Sequence, residues 1–304
     1  MSLDGILPLY KPTGLTSHDC VARVRQALGL RRVGHGGTLD PEVDGVLPLL
    51  IGRATRLAEY LLDLPKAYEG EMVFGVATDT QDQTGTVVAE ETVSLTPDAV
   101  AGAMAQFRGE IEQIPPMHSA VKVGGIPLYK LARKGKTVER KPRRVTIYEL
   151  RLLDGDWTPP HPRARFYVRC SKGTYVRTLC VDIGKVLGVP AHMARLTRVQ
   201  SGPYALEDCV TLEAVEAAAA AGTVAQFLRS PEEAVAHLPR IDVGEAEARA
   251  VRHGRGIDSR AWNLAPGLVR VHDERGRLLA IHRVEPGKRF TVPQKVLAAG
   301  GESA

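Results

Sequence analysis

The stretch GHGGTLDPEVDG, residues 34–45, sets a histidine, four glycines and a Thr-Leu-Asp-Pro turn directly before the apolar run VLPLLIG. Two readings are open. Gly, Asp and Pro punctuate loops for purely local reasons, or the loop exists to present Asp40. On its N-terminal side LTSHDCVARVRQALGL, residues 15–30, opens with Thr-Ser-His-Asp and repeats apolar residues at Val21, Val24, Ala27 and Leu28. That pattern predicts an amphipathic helix with an N-cap and a stop at Gly29. On its C-terminal side VLPLLIGRATRLAEYLLD reads as a short buried stretch followed by a helix with Leu57, Tyr60, Leu61 and Leu64 on one face. The loop therefore joins two well-defined elements.

Further along, KAYEGEMVFGVATDT and RARFYVRCSKG (residues 163–173) alternate as strands do. SLTPDAVAGAMAQFRG carries a Thr-Pro-Asp start that predicts a helix ending at Gly109, and TYVRTLCVDIGKVLG predicts one closed by Gly188. EAAAAAG, residues 216–222, is a further helical patch. Strands and helices mixed without strict alternation place the chain in the α+β class rather than among doubly wound parallel sheets. SPEEAVAHLPR marks a boundary near 230–240, and beyond it LVRVHDERGRLLAIHRVEPGKRFTVPQKVL alternates like short strands joined by turns. We expect domains at 1–235 and 240–304, the second small, basic and β-rich.

With 304 residues, 44% hydrophobic and 25% charged, the chain reads as an ordinary globular protein. No apolar run approaches the ~18–20 residues of a membrane span. The start lacks the basic and apolar regions of a secretory signal, so a cytoplasmic location is expected. Cys20, Cys170, Cys180 and Cys209 form no CxxC pair, and the nine histidines include no HExxH. A zinc ribbon, a disulfide scaffold and a metal site therefore have little support, and buried thiols are expected.

The net charge of +5 is uneven: residues 130–144 hold eight cations against Glu139, and residues 240–304 hold 12 cations against eight acids. Two basic regions suit a protein that meets a polyanion, although a solvated charged loop would look the same for the first.

Reactive side chains beside glycines or strand ends fall in four segments: His35 with Asp40, Tyr68 with Asp82, Ser119–Gly135, and Ser171, Lys172, Tyr175 and Arg177. A carboxylate, an arginine and a tyrosine, with no phosphate loop, suit covalent or acid/base work on a neutral ring. In order, GHGGTLDP with VLPLLIGRATRLAEYLL, KAYEGEMVFGVATDTQDQTG, HSAVKVGGIPLYKLARKG, CSKGTYVRTLCVDIG and ARLTRVQSGPY resemble the bacterial tRNA pseudouridine-55 synthase family across roughly residues 3–210.

The resemblance implies a largely antiparallel mixed central sheet flanked by helices, and isomerisation of uridine 55 in the tRNA T-loop to its C-glycoside. Asp40 would be the nucleophile and no cofactor would be needed. Arg177 would pair with Asp40 and keep it ionised and oriented. Tyr68 would stack on the flipped uracil and is the candidate to take the C5 proton. Tyr175 and Leu196 would pack around the base, Asp82 would stand behind the arginine, and His35 would wedge into the gap, since such enzymes extrude their target base. Lys122 would sit at the base of a basic flap over about 118–144, whose Arg133, Lys134, Lys136, Arg140, Arg143 and Arg144 would contact the RNA backbone. The tail resembles a PUA-type RNA-binding domain, implying contact with the acceptor-stem side of tRNA. A monomer without an obligatory protein partner is expected.

Two departures from the family pattern stand out. Asp44 follows Val43 where Ala-Thr-Gly is usual, and we read it as a solvated turn residue rather than a perturber of Asp40. Arg56 replaces the usual lysine, with a phosphate contact expected to survive. The competing readings are an RNA-guided relative, a non-catalytic tRNA-folding or RNA-binding protein that keeps the fold, and a metal-dependent hydrolase built on Asp40, Asp44 and His35.

Overall fold

Continuous burial through VLPLLI and period-two burial through RARFYVRC are the signatures of strands covered on two faces and on one. Both lie in a nine-stranded sheet of a computed structural model that describes residues 3–297. Residues 1–2 and 298–304, the outer ends of the two expected domains, lie outside the described residues. The sheet runs Gly5–Lys11, Asp44–Ile51, Ala191–Ser201, Lys66–Phe74, Arg163–Cys170, Arg143–Asp156 and Gly109–Gln113. Val33–His35 pairs with Asp44–Ile51, and Tyr204–Ala205 with Ala191–Ser201. All these pairings are antiparallel except that of Asp44–Ile51 with Ala191–Ser201, where Thr197 lies opposite Asp44 and Arg198 opposite Gly45. The sheet is mixed and largely antiparallel, and the class is α+β.

Helices Ser17–Leu28, Pro97–Ala105, Val176–Leu187 and Leu212–Ala220 cover one face and bury Val21, Val24, Met104, Leu179, Ile183 and Val215 against Leu47, Leu49, Phe74 and Phe166. The first of them is capped as its sequence predicts: Thr16 and Asp19 form a reciprocal capping box, and Gly29 closes the end. On the opposite face Val46 and Leu50 meet Tyr60 and Leu61 of helix Ala58–Asp63, and a second core forms there. Ile281 and Leu297 of the C-terminal sheet enter that same core. At about 1.5–3 kcal/mol for each fully buried aliphatic side chain, the seam fastens the two parts together.

The C-terminal part has four strands, Arg240–Val243, Gly267–Asp273, Leu278–Val284 and Val292–Val296, the first pair parallel and the others antiparallel. It also has the helix Glu245–Arg252, which the reading as strands alone missed. Only Ala248 and Val251 of that helix are buried, too few apolar positions to declare a period.

Other expectations shift. KAYEGEMVFGVATDT is two strands in different sheets, Lys66–Phe74 and Val76–Thr78. Gly75 separates them at φ +89, where a Cβ would lie 2.5 Å from the Glu91 carbonyl oxygen. The third helix stops at Ala105, and Gly109 starts a strand. Arg143 and Arg144 do not belong to a flap: they open the 14-residue strand Arg143–Asp156, and Arg144 reaches Glu110 at 3.4 Å. Asp44 is no solvated turn residue. It is the buried first residue of its strand and accepts from the Tyr10 hydroxyl at 2.9 Å. Alternation puts it on the same sheet face as Val46, which points into the second core.

Candidate active site

The loop between Val33–His35 and Asp44–Ile51 carries Asp40 and is held from outside at Gly37, Thr38, Leu39 and Pro41. Arg198, with 1% of its surface exposed, sends Nε to the Val46 carbonyl at 2.7 Å, Nη2 to Gly37 at 3.0 Å and Nη1 to Thr38 at 3.4 Å. The Ser17 hydroxyl donates to the Leu39 carbonyl and accepts from the Leu39 amide. Fully buried Lys11 donates to the Pro41 carbonyl at 3.0 Å, which also accepts from the Gly14 amide. Gly45 sits at φ +107, where a Cβ would stand 2.2 Å from the Arg198 carbonyl oxygen. A loop fixed at this many points loses little entropy when it binds a reacting group.

The side chain of Asp40 is 53% exposed, and its Oδ2 lies 3.1 Å from Arg177 Nη2. Arg177, almost fully buried at the start of helix Val176–Leu187, spreads its fork over four partners. Nη1 donates to Asp82 Oδ2 at 3.0 Å and the Thr80 carbonyl at 3.1 Å; Nη2 donates to the His118 carbonyl at 2.9 Å as well as reaching Asp40. Such forked, charge-assisted contacts fix direction as well as position. Asp82 is locked in turn. Burial works to raise its pKa, but hydrogen bonds from Thr84 and Thr80 and the charge of Arg177 bring it below the ordinary carboxylate range.

Tyr68, half-buried in Lys66–Phe74, lies across the sheet from Arg198 and near enough to Asp40 to feel its charge. Burial raises its pKa, with Arg198 pulling the other way, so the phenol is protonated at neutral pH. Leu196 is buried beside it, opposite Gly70. The Tyr175 backbone is clamped by the buried Gln113 amide, which accepts from its N–H at 3.0 Å and donates to its carbonyl at 3.2 Å.

His35 is half-buried at the end of its strand, and its Nδ1 accepts from the Gly37 amide at 3.3 Å. Burial, then Arg198, keep its ring below the usual histidine pKa. The structure thus brings Asp40, Arg177, Asp82 and Tyr68 together, with Leu196 on the strand beside Tyr68, Tyr175 two residues before Arg177 and His35 near Arg198.

Lys122 stands apart in a two-stranded hairpin, Lys122–Val123 with Ile126–Pro127, that joins no other strand. Arg133, Lys134 and Lys136 are exposed on the same excursion, Arg133 over the Tyr129 ring, while Arg140 donates to the Pro115 carbonyl at 3.2 Å. Arg56 donates to the Val296 carbonyl of the C-terminal sheet. Among the described residues no group of three His, Cys, Asp or Glu side chains could hold a metal ion, and no helix is long and apolar enough to cross a membrane.

Sequence reasoning passed over Arg198, Lys11, Ser17 and Gln113. A charged residue inside an otherwise apolar strand, Lys11 in GILPLYK or Arg198 in ARLTRV, is the signal that could have found two of them, because a buried cation needs polar partners.

Arg198 and Lys11 thus pin a loop that presents one exposed carboxylate to Arg177, with Tyr68 close enough to sense its charge, an arrangement suited to acid/base or covalent chemistry. Comparison with known proteins gives the family. Residues 25–176 match the profile of the TruB family pseudouridylate synthase (N terminal domain), 177–248 that of the tRNA pseudouridylate synthase B C-terminal domain, and 238–298 that of tRNA Pseudouridine synthase II, C terminal. The chain belongs to the TruB family of pseudouridylate synthases. It is 48% identical to tRNA pseudouridine synthase B of Halalkalibacterium halodurans over 98% of this chain and 99% of that protein. It is 55% identical to the protein of that name from Symbiobacterium thermophilum over 83% and 82%. Among solved structures, a Cbf5-Nop10-Gar1 complex superposes with a TM-score of 0.76 at 28% identity, covering 97% of this chain and 85% of that one.

Proposed function

We propose that this protein is a tRNA pseudouridine synthase that isomerises uridine 55 of the T-loop, with Asp40 as the nucleophile. The observation that carries the reading is the Asp40 carboxylate, half exposed to solvent yet held by Arg177 at 3.1 Å on a loop pinned by Arg198, Lys11 and Ser17. Asp40 adds covalently to the flipped uridine and the C1′–N1 bond breaks. The base turns, C1′–C5 forms, C5 loses its proton to solvent while N1 takes one up, and the carboxylate is released. A covalent intermediate divides one hard step into easier ones, and the net change is redox-neutral, so no cofactor is required.

Tyr68, protonated in its buried setting, is suited to stacking on the base more than to removing its proton. Tyr175 and Leu196 wall the pocket, and His35, neutral at pH 7, fills the gap left in the RNA stack. The cations of the 118–142 excursion close on phosphates, and the C-terminal domain, PUA-like in this reading, holds the acceptor-stem side. The protein acts as a cytoplasmic monomer without a guide.

The test is an unmodified tRNA transcript tritiated at uracil C5, with chelator throughout. Wild type should release tritium from the T-loop uridine and Asp40→Asn should bind RNA without releasing any. Tight binding with no release by wild type from any naked tRNA would favour a guided enzyme or a binding module, and restoration by metal would favour the hydrolase reading.

A further inference from the structure

The sheet face turned away from the four helices carries Arg163, Arg165 and Arg169 at alternate positions of one strand, all exposed. Two of these are neutralised: Arg163 holds Glu71 at 2.6 Å and Arg165 holds Asp154 at 2.8 Å. Arg169 has no carboxylate at ion-pair distance among the described residues and instead lies 5.3 Å over the half-exposed ring of Tyr148. Beside it, where the sheet ends against the linker to the C-terminal domain, is a half-open pocket of about 240 Å³. Leu64, Pro65 and Pro203 supply apolar lining, and Gln200, Glu233 and His237 the polar groups. Gln200 Nε2 donates to the Gly202 carbonyl at 3.0 Å, leaving Oε1 as an acceptor. Burial, then Arg270, lower the pKa of His237, so it meets a ligand as a neutral ring.

The sheet register fixes where this pocket stands. Arg169 is opposite Ala67, the residue next to Tyr68, but alternation points it to the other face. Ser201 and Cys170 both lie opposite Lys66 at the same end of the sheet, the end where the basic excursion leaves Gln113 and returns at Arg143. The pocket thus lies between the strand that carries Tyr68 and the segment 233–237 that leads into the C-terminal domain.

We propose that the pocket takes one nucleotide of the RNA substrate, its base against the proline walls and Gln200 and its phosphate on Arg169, as a bridge between the cleft and the C-terminal domain. The inference rests on the RNA-modifying reading above. The prolines offer an apolar face that any base can lie against, and Arg169 meets a phosphate that every nucleotide carries, so the contact adds affinity with little sequence choice.

Two variants test it on the full-length protein with a tRNA transcript. Arg169→Ala removes the unpaired cation; Ala236→Phe fills the pocket from an exposed position that no core side chain needs. Each should weaken tRNA binding by about tenfold, leave the rate at saturating RNA unchanged, and keep the wild-type melting temperature. Arg169→Ala should also lower the salt slope of binding by about one. Binding within twofold of wild type for both variants overturns the proposal. So does weakening by Arg169→Ala alone, which would reduce the site to a surface phosphate contact. Because the readout is binding, wild type that binds tRNA but forms no pseudouridine would overturn the assigned reaction while this test still reports on the pocket.

Discussion

Replacing Asp82 by asparagine changes one charge at nearly constant shape. Asp82 Oδ1 accepts from Thr80 Oγ1 at 2.7 Å, Thr84 Oγ1 at 2.6 Å and the Thr84 amide at 3.0 Å, while Oδ2 accepts from Arg177 Nη1. An asparagine that keeps its oxygen toward the three donors of Thr80 and Thr84 turns its amide nitrogen onto the guanidinium, donor against donor. The loss is one charge-assisted hydrogen bond, about 1.5–3 kcal/mol. If that loss reaches Asp40 through Arg177, the rate of the chemical step falls about 10- to 150-fold. Binding should change little, since Asp82 lies behind the arginine and away from the open side. Single-turnover tritium release at saturating enzyme, with filter binding alongside, separates the two. A chemical rate within twofold of wild type, in a variant that melts normally, would refute the claim that Asp82 aims Asp40 through Arg177.

Gly45→Ala would drive a Cβ to 2.2 Å from the Arg198 carbonyl oxygen at a left-handed φ, and should cost at least about 2 kcal/mol, seen as a lowered melting temperature with lost activity. Arg198→Lys leaves a single ammonium to serve carbonyls that the fork reached separately at Gly37, Thr38 and Val46; the rate should fall by at least about tenfold with RNA affinity nearly intact, measured under single turnover. His282 is fully buried and its pKa is pushed by burial down to about 4. The unfolded chain, titrating near 6.5, binds the proton first, so stability is full above that pH and is lost as pH falls from about 6.5 to about 4. Urea unfolding should show roughly 2 kcal/mol less stability at pH 5 than at pH 7.5 from this group, and His282→Leu should flatten the difference. Lys134→Ala with Lys136→Ala should weaken tRNA binding and lower its salt slope by about two without changing the saturated rate.

The local chemistry of the chain was readable where a segment decides its own conformation. Thr16, Asp19 and Gly29 bound the first helix as their residue types dictate, and RARFYVRC alternates because one side of it is buried. Asp40 stood out because it lies among glycines. Long-range partnership is a different matter. Nothing near Asp44 in the chain announces Tyr10, and nothing in KPRRVT says that the basic run ends inside a sheet strand. Arg198 and Gln113 act through carbonyls and amides of segments far away, so even where residue type flags a buried charge, as at Arg198, nothing nearby in the chain says which groups it holds. The helix Glu245–Arg252 escaped because its buried face is two residues wide.

The parallel pairing that sets Arg198 beside Gly45 has a consequence for how the protein is made. The cation that shapes the Asp40 loop arrives 161 residues after Gly37, the carbonyl it binds, and Arg177 comes late as well. Contacts this distant in sequence must close large loops before they repay their entropy, which slows folding. During synthesis the Asp40 segment leaves the ribosome long before either arginine, so a nascent chain cut short of residue 177 carries Asp40 without the two side chains that hold it and its loop in place. The geometry around Asp40 is set only by completion of the central sheet.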